Sequence, residues 1–360
     1  MLPNKNYKKF ENYQQNDLMR NIIEIKNNTG RIINSKLINF SSNDYLGISK
    51  SDRLKQALTD SITTNGFGST SSPLVSGYHS STKKLEEEFA KTLKTEKAIF
   101  FNSGYHANLG IIQALDLPII MDKLCHASII DGARLSGNKF CRYQHSNYEH
   151  AEELLKKNSS SLLITERIFS MEGDITNTTE LKRLANKYNS TLIIDDAHGF
   201  GIMPNNIQSD LITIPLGKAL GGVGAIVAGS RAYIDYLRQF TRSYAYSTAL
   251  PAFIADANLA ALAIMKNETW RLDKLKQLIK LFNAEANLLG LKLASQDLTP
   301  IRSILIGDNK EAKILEAKLQ AKGFFVKAIV SPTVATSRIR ISLCAFHTQN
   351  DVLSLIGALK

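Results

Sequence analysis

Two periodicities alternate along this chain. Apolar runs at 98–101, 161–165, 191–194 and 225–228 are short and rich in branched residues, the pattern of buried strands. Between them, residues 81–94 place Leu85, Phe89 and Leu93 at i, i+4 and i+8, with Ser80 or Ser81 as the expected N-cap. Residues 179–188 repeat the helical spacing with Leu181, Leu184, Ala185 and Tyr188. Buried strands alternating with such helices predict an α/β fold on a mostly parallel sheet.

After residue 250 the texture changes. Pro251 is placed to start a helix at N1. The apolar stretch 251–265 is broken by Asp256 and Asn258, so it reads as a buried helix and not as a membrane span. A second helix covers 269–289 and ends at Gly290. A strand at 303–306, a helix at 310–322 closed by Gly323, and strands at 324–328 and 338–343 make a smaller α+β unit. The expected division is a polar, Lys/Asn-rich N-terminal arm (1–39), a large domain (40–250) and a small C-terminal domain (251–360).

Composition narrows the class. With 360 residues, 44% hydrophobic and 21% charged, the chain can bury a large core, which excludes disorder and disulfide scaffolds as whole-chain descriptions. The net charge of +11 invites an anionic partner. The lysines are dispersed and no nucleic-acid recognition motif appears, so a nucleic-acid-binding protein is the weaker reading. No apolar leader follows the first basic residues, and three scattered cysteines fit reduced thiols in a cytoplasmic protein. Seven histidines form no metal-binding spacing.

The strand at 191–194 runs out into Asp195-Asp196-Ala197-His198, delivering two carboxylates and an imidazole to a strand end, where open α/β sheets bind ligands. By itself, such a pair is as often the start of a solvated loop. Lys218 follows within the glycine-flanked run Leu216-Gly217-Lys218-Ala219-Leu220-Gly221-Gly222, a setting for a desolvated amine or for an ordinary surface lysine. Asn102-Ser103-Gly104-Tyr105 follows a strand and opens a helix, so its amides can face an anion; the loop at 66–72 is also rich in Gly and Ser. Lysine, acid and phosphate donors together are the requirements of pyridoxal phosphate.

The motifs SSNDYLG (41–47), LVSGY (74–78), SGY (103–105), CHAS (125–128), FSMEGD (169–174), DDAHG (195–199), GK (217–218), YSTALP (246–251) and RIRIS (338–342) occur in that order. On these, from about Phe40 to the C-terminus, the chain resembles the α-oxoamine synthases, pyridoxal-phosphate enzymes of fold type I. The resemblance implies a homodimer with shared active sites and a decarboxylative condensation. Its partners would be L-alanine and a pimeloyl thioester, pimeloyl-CoA or pimeloyl-acyl-carrier protein, with glycine C-acetyltransferase chemistry as the alternative. It further implies that Lys218 binds the cofactor and moves the Cα proton, that Asp195 pairs with the ring nitrogen, and that His198 and Ser170 bond the phenolic oxygen. His126 would stack on the ring, and the Gly104 and Tyr105 amides would hold the phosphate with Thr248 of the neighbouring subunit. Arg340 would clamp the amino-acid carboxylate, with Asn43 close by; Arg338 shares its strand parity. Three departures stand out. Pro215 replaces a hydroxyl residue that usually donates to the phosphate, leaving Thr213, Ser69 or Thr248 as substitutes. The 198–218 segment is short, and Thr82 stands where a histidine is usual. A cofactor-binding scaffold without catalysis is the reading these departures would favour, and the retained Lys218, Asp195, His198 and Arg340 oppose it.

Overall fold

A computed structural model describes residues 3–15, 18–19, 22–26, 28–34 and 36–360 of the chain. After the helix Asn4–Gln15 come two short strands, β1 (Ile32–Ile33) and β2 (Leu37–Asn39). The central sheet then takes β3 (Lys97–Phe101), β4 (Ile119–Asp122), β5 (Phe140–Tyr143), β6 (Leu162–Glu166), β7 (Thr191–Asp195), β8 (Leu211–Pro215) and β9 (Ala225–Gly229), in the spatial order β3-β9-β8-β7-β6-β4-β5.

All its strands run parallel except β9, which is antiparallel to both neighbours. The reason is local. Parallel neighbours need a crossover of a dozen or more residues, whereas residues 216–224 form a short loop that can only turn the chain back. That loop carries Lys218. β6, β7 and β9 are buried along their whole length or nearly so, which is why they read as unbroken apolar runs. β4 escapes the pattern reading because it has only four residues, β5 because it is largely exposed at the sheet edge, and β8 because Thr213 and Pro215 interrupt its apolar run.

Helices cover the sheet near the expected places, with corrected ends. Ser80–Leu93 is capped by the His79 ring, which accepts the Ser81 N–H at 3.1 Å, so neither serine is the cap. Pro251 is the extended residue before the helix Ala252–Asn267, one position earlier than N1. Trp270–Leu288 follows, and Gly290 takes the left-handed φ of 67° just beyond it.

The C-terminal part contributes β10 (Ile301–Gly307), β11 (Phe324–Phe325), β12 (Lys327–Ile329) and β13 (Ser337–Ser342). The single strand expected at 324–328 is split at Val326. β11 pairs in parallel with β2, and β12 pairs antiparallel with β13. One short stretch thus serves two sheets, and β2, read as part of the arm, is tied to the C-terminal part. Buried His347 fastens the junction. Its Nδ1 accepts the Cys344 N–H at 3.0 Å, which leaves Nε2–H to donate to the Asn39 carbonyl at 2.9 Å, and its ring stacks on Phe40. Burial pushes the His347 imidazole down to about 4. Among the described residues no helix is long and apolar enough to cross a membrane, and no three side chains are grouped to hold a metal ion.

Candidate active site

The last residues of β6, β7 and β8 (Glu166, Asp195 and Pro215) open into a cavity of about 410 Å³, as the carboxyl ends of a parallel sheet should. Nine of the ten expected site residues line it: Asn43, Gly104, Tyr105, His126, Ser170, Asp195, His198, Lys218 and Arg340. Thr248 does not. It is exposed outside this cavity, its carbonyl accepting Asn102 Nδ2 at 3.0 Å.

One end of the cavity is acidic. Asp195 and Glu166 are register partners on adjacent strands, and both are buried. Asp195 Oδ2 accepts Asn108 Nδ2 at 2.7 Å and Oδ1 accepts the Ala197 N–H at 3.0 Å, while Glu166 Oε1 has no partner. Burial pushes both carboxyls up, and the Asn108 amide opposes this at Asp195. Two buried carboxyls side by side call for a cation.

The other end is a helix N-terminus. Ser103 caps Gly104–Leu115 through the His106 N–H, so the Gly104 and Tyr105 residues reach the cavity where first-turn amides lack helical partners. Gly104 lies flat on Pro215: a Cβ there would collide with the Pro215 ring. Of the substitutes for the missing hydroxyl, Thr213 is buried within β8 with Oγ1 unpartnered, and Ser69 Oγ donates to the Ala249 carbonyl; neither lines the cavity.

Between the ends, His126 caps the helix Ala127–Ser136, its Nδ1 lying 2.8 Å from Ser128 Oγ. Ser128 Oγ in turn accepts Asn108 Nδ2 at 3.0 Å. A single asparagine therefore ties the His126 wall to Asp195. Lys218 is half-buried, and burial lowers the pKa of its amine. His198 is fully enclosed and burial holds it well below the usual histidine range, so it is neutral; its Nδ1 lies 2.7 Å from the Tyr45 hydroxyl.

Arg340, on β13, is buried and held in place. Nε donates to the Ser170 carbonyl at 2.7 Å, Nη1 to Ser342 Oγ at 2.8 Å and Nη2 to Asn43 Oδ1 at 3.1 Å. Arg338 has the same parity but a different task. Its Nη1 reaches Glu172 at 2.9 Å and the Met171 carbonyl at 3.2 Å, and it does not line the cavity.

Sequence reasoning passed over Tyr45, Asn108, Ser128, Glu166 and Lys327. Glu166 carries a readable signal, since it ends an apolar run just as Asp195 does. Asn108 stands one turn after Gly104 on the same helix, a polar residue among apolar neighbours. Lys327 has no such mark.

Comparison with known proteins shows the family. Residues 35–359 match the family "Aminotransferase class I and II". The 8-amino-7-oxononanoate synthase of Saccharophagus degradans is 39% identical over 90% of this chain and 86% of its own length. That of Vibrio atlanticus is 36% identical over 96% and 90%. Among solved structures, 8-amino-7-oxononanoate synthase from Francisella tularensis superposes with a TM-score of 0.80 at 34% identity, covering 90% of this chain and 96% of that one. Serine palmitoyltransferase from S. paucimobilis reaches 0.89 over 99% and 96%, at 20% identity, which makes it a relative in fold. The architecture is that of the fold-type-I pyridoxal-phosphate transferases, with a mostly parallel central sheet and a smaller C-terminal part.

Proposed function

The chain belongs to the class I and II aminotransferase family, and on that premise we propose that it acts as an 8-amino-7-oxononanoate synthase. It condenses L-alanine with a pimeloyl thioester, carried on CoA or acyl-carrier protein, and releases carbon dioxide and the free thiol, a step of biotin biosynthesis. The observation that carries this reading is the meeting of Lys218, Asp195, His126 and Arg340 in one cavity, in a chain 36–39% identical to synthases of that name.

Pyridoxal 5′-phosphate is the cofactor, and when bound it supplies an electron sink for the electrons of a Cα–H bond. The residues present suit it. An anionic tail suits the amides of Gly104 and Tyr105. A flat ring suits the His126 wall, with His198 and Ser170 toward its phenolic oxygen. A protonated ring nitrogen answers the buried Asp195 and Glu166 pair, a demand visible in the unpartnered Glu166 Oε1.

The chain's own groups then act in sequence. The Lys218 amine, its proton affinity lowered by burial, would hold the cofactor and would serve as the base that takes the Cα proton. Arg340 binds the alanine carboxylate through a guanidinium pre-aimed by Ser170, Ser342 and Asn43. The new C–C bond would form at the thioester carbonyl as the C–S bond breaks, the departing thiolate taking a proton from solvent. The alanine carboxylate departs as carbon dioxide, and Lys218 returns a proton to Cα.

A homodimer belongs to the same reading. Phe67, Val75 and Tyr246 are 81%, 80% and 77% exposed on segments joined by the hydrogen bond from Ala249 N–H to Ser71 O, an apolar surface suited to a second copy. Thr248, in that surface, would serve the neighbour's phosphate site. We place the reaction in the cytoplasm, where acyl thioesters are made. The test is thiol release with L-alanine plus pimeloyl-CoA against glycine plus acetyl-CoA. Turnover with the first pair is expected, and turnover only with the second would overturn the substrate assignment.

A further inference from the structure

Arg340 is not alone on its face of the small sheet. Lys327, on β12, is its direct cross-strand partner in the antiparallel register, and both side chains line the cavity. Like charges directly opposite each other destabilise a sheet. A lysine there weakens the fold unless an anion meets it.

Glu316, from the helix Asn309–Ala321, meets the Lys327 ammonium at 2.6 Å. That carboxylate has other work. Its Oε2 accepts the Ala328 N–H at 2.8 Å, pinning the edge strand, and its Oε1 also accepts Gln320 Nε2 at 3.3 Å. The Lys327 side chain is 42% exposed against 16% for Glu316, so the ammonium stays in reach of water and can change partners while Glu316 keeps its bond to the strand.

The proposed condensation requires two carboxylates in the cavity together, that of alanine and the far end of the seven-carbon acyl chain. Three lysine or arginine side chains line the cavity: Lys218, Arg340 and Lys327. Lys218 is engaged with the cofactor. Arg340 is aimed by three protein acceptors at the amino acid. Lys327 is left, and Ile329, two residues along the same strand, together with Met171 supplies apolar lining beside it. Resting on the condensation reading above, we propose that Lys327 is a specificity-determining residue that receives the terminal carboxylate of the acyl donor, with Ile329 and Met171 against its methylene chain.

The experiment compares pimeloyl-CoA with heptanoyl-CoA, which has the same length and no terminal charge, on the holoenzyme. Wild type is expected to prefer pimeloyl-CoA by about tenfold or more in kcat/KM. Lys327→Met should bring the two donors level by raising the KM for pimeloyl-CoA, with the KM for L-alanine and the visible spectrum of the bound cofactor held as wild type. Lys327→Arg should restore the preference. A preference that survives Lys327→Met removes this role and leaves the condensation reading standing. Equal weakening of both thioesters also removes it, assigning the ammonium to the CoA phosphates that the two donors share. A wild type that couples L-alanine to neither thioester would bring down the condensation reading and this inference together.

Discussion

The Tyr45 hydroxyl and Nδ1 of His198 lie 2.7 Å apart in the buried wall of the cavity, with Asn43 Oδ1 3.1 Å from the same hydroxyl. Burial pushes the Tyr45 phenol up to about 12 and the His198 imidazole well down, so both are neutral near pH 7. Tyr45 has one proton to give. Donated to Nδ1, it leaves His198 with Nε2–H, the tautomer able to donate to an anionic phenolic oxygen; donated to Asn43, it leaves the opposite tautomer.

Tyr45→Phe should therefore release the tautomer and lower kcat/KM by about tenfold, the worth of one buried hydrogen bond. Steady-state kinetics beside a pH titration of the cofactor's visible band would read it. An unchanged rate together with an unchanged titration would leave Tyr45 as packing only.

Lys218 is the amine expected to bind the cofactor. Borohydride reduction of the holoenzyme followed by peptide mapping should fix the label on Lys218, and Lys218→Ala should lower turnover by about 10³-fold or more. A label on another lysine would move the reacting centre.

Pro215 and Gly104 press against each other at the end of the cavity proposed for the phosphate, and the two positions should respond in opposite senses. Pro215→Thr adds a hydroxyl beside a dianion and should tighten cofactor binding by about fivefold to tenfold. Gly104→Ala adds a methyl group where Pro215 already stands and should weaken it. Equilibrium dialysis of the cofactor measures both. A threonine variant that binds no tighter would show that position 215 does not face the phosphate.

Three of the site's groups stand at places the local pattern marks, whereas His126, Ser170, Arg340 and Asn43 are singled out only through the family resemblance. Asp195 closes an apolar run, Gly104 opens a helix after another, and Lys218 lies among glycines that have no core to fill. What escaped depends on distant pairing. Asn108 matters because of Ser128 and Asp195, and Lys327 because of the register that puts it opposite Arg340. Neither relation leaves a local periodicity. Val326 shows the same limit in the fold, since nothing in the 324–328 run says that its two halves join different sheets. Arg338 shares the parity of Arg340, and what parity cannot tell is that Glu172 holds its guanidinium outside the cavity.

His347 gives the fold an acid sensitivity whose sign can be worked out. Its pKa of about 4 in the folded state lies below the ordinary value of 6.5, because burial favours the neutral ring. Its stabilising contribution is complete above about pH 6.5 and is lost as pH falls toward 4, about 3 kcal/mol in all. His347→Gln should lower stability at pH 7 and flatten the decline between pH 6.5 and 4. Urea midpoints across that range test it, and an equally steep decline in the variant would assign the acid sensitivity to other groups.

The break at Val326 gives the N-terminal arm a mechanical role. β2 grips β11, and immediately beyond it the Phe40 carbonyl accepts the Ser342 N–H at 2.7 Å and the Tyr45 carbonyl accepts the Ala345 N–H at 2.8 Å. Those two bonds lie just beyond the arm, so the arm's own hold is that of β2 on β11, the strand that runs through Val326 into the one carrying Lys327. A chain trimmed to start at Phe40 would expose the β11 edge to stray pairing with other molecules. It would also loosen the wall on which both carboxylates are to be told apart, so blurred substrate choice would be the first symptom of a lost arm.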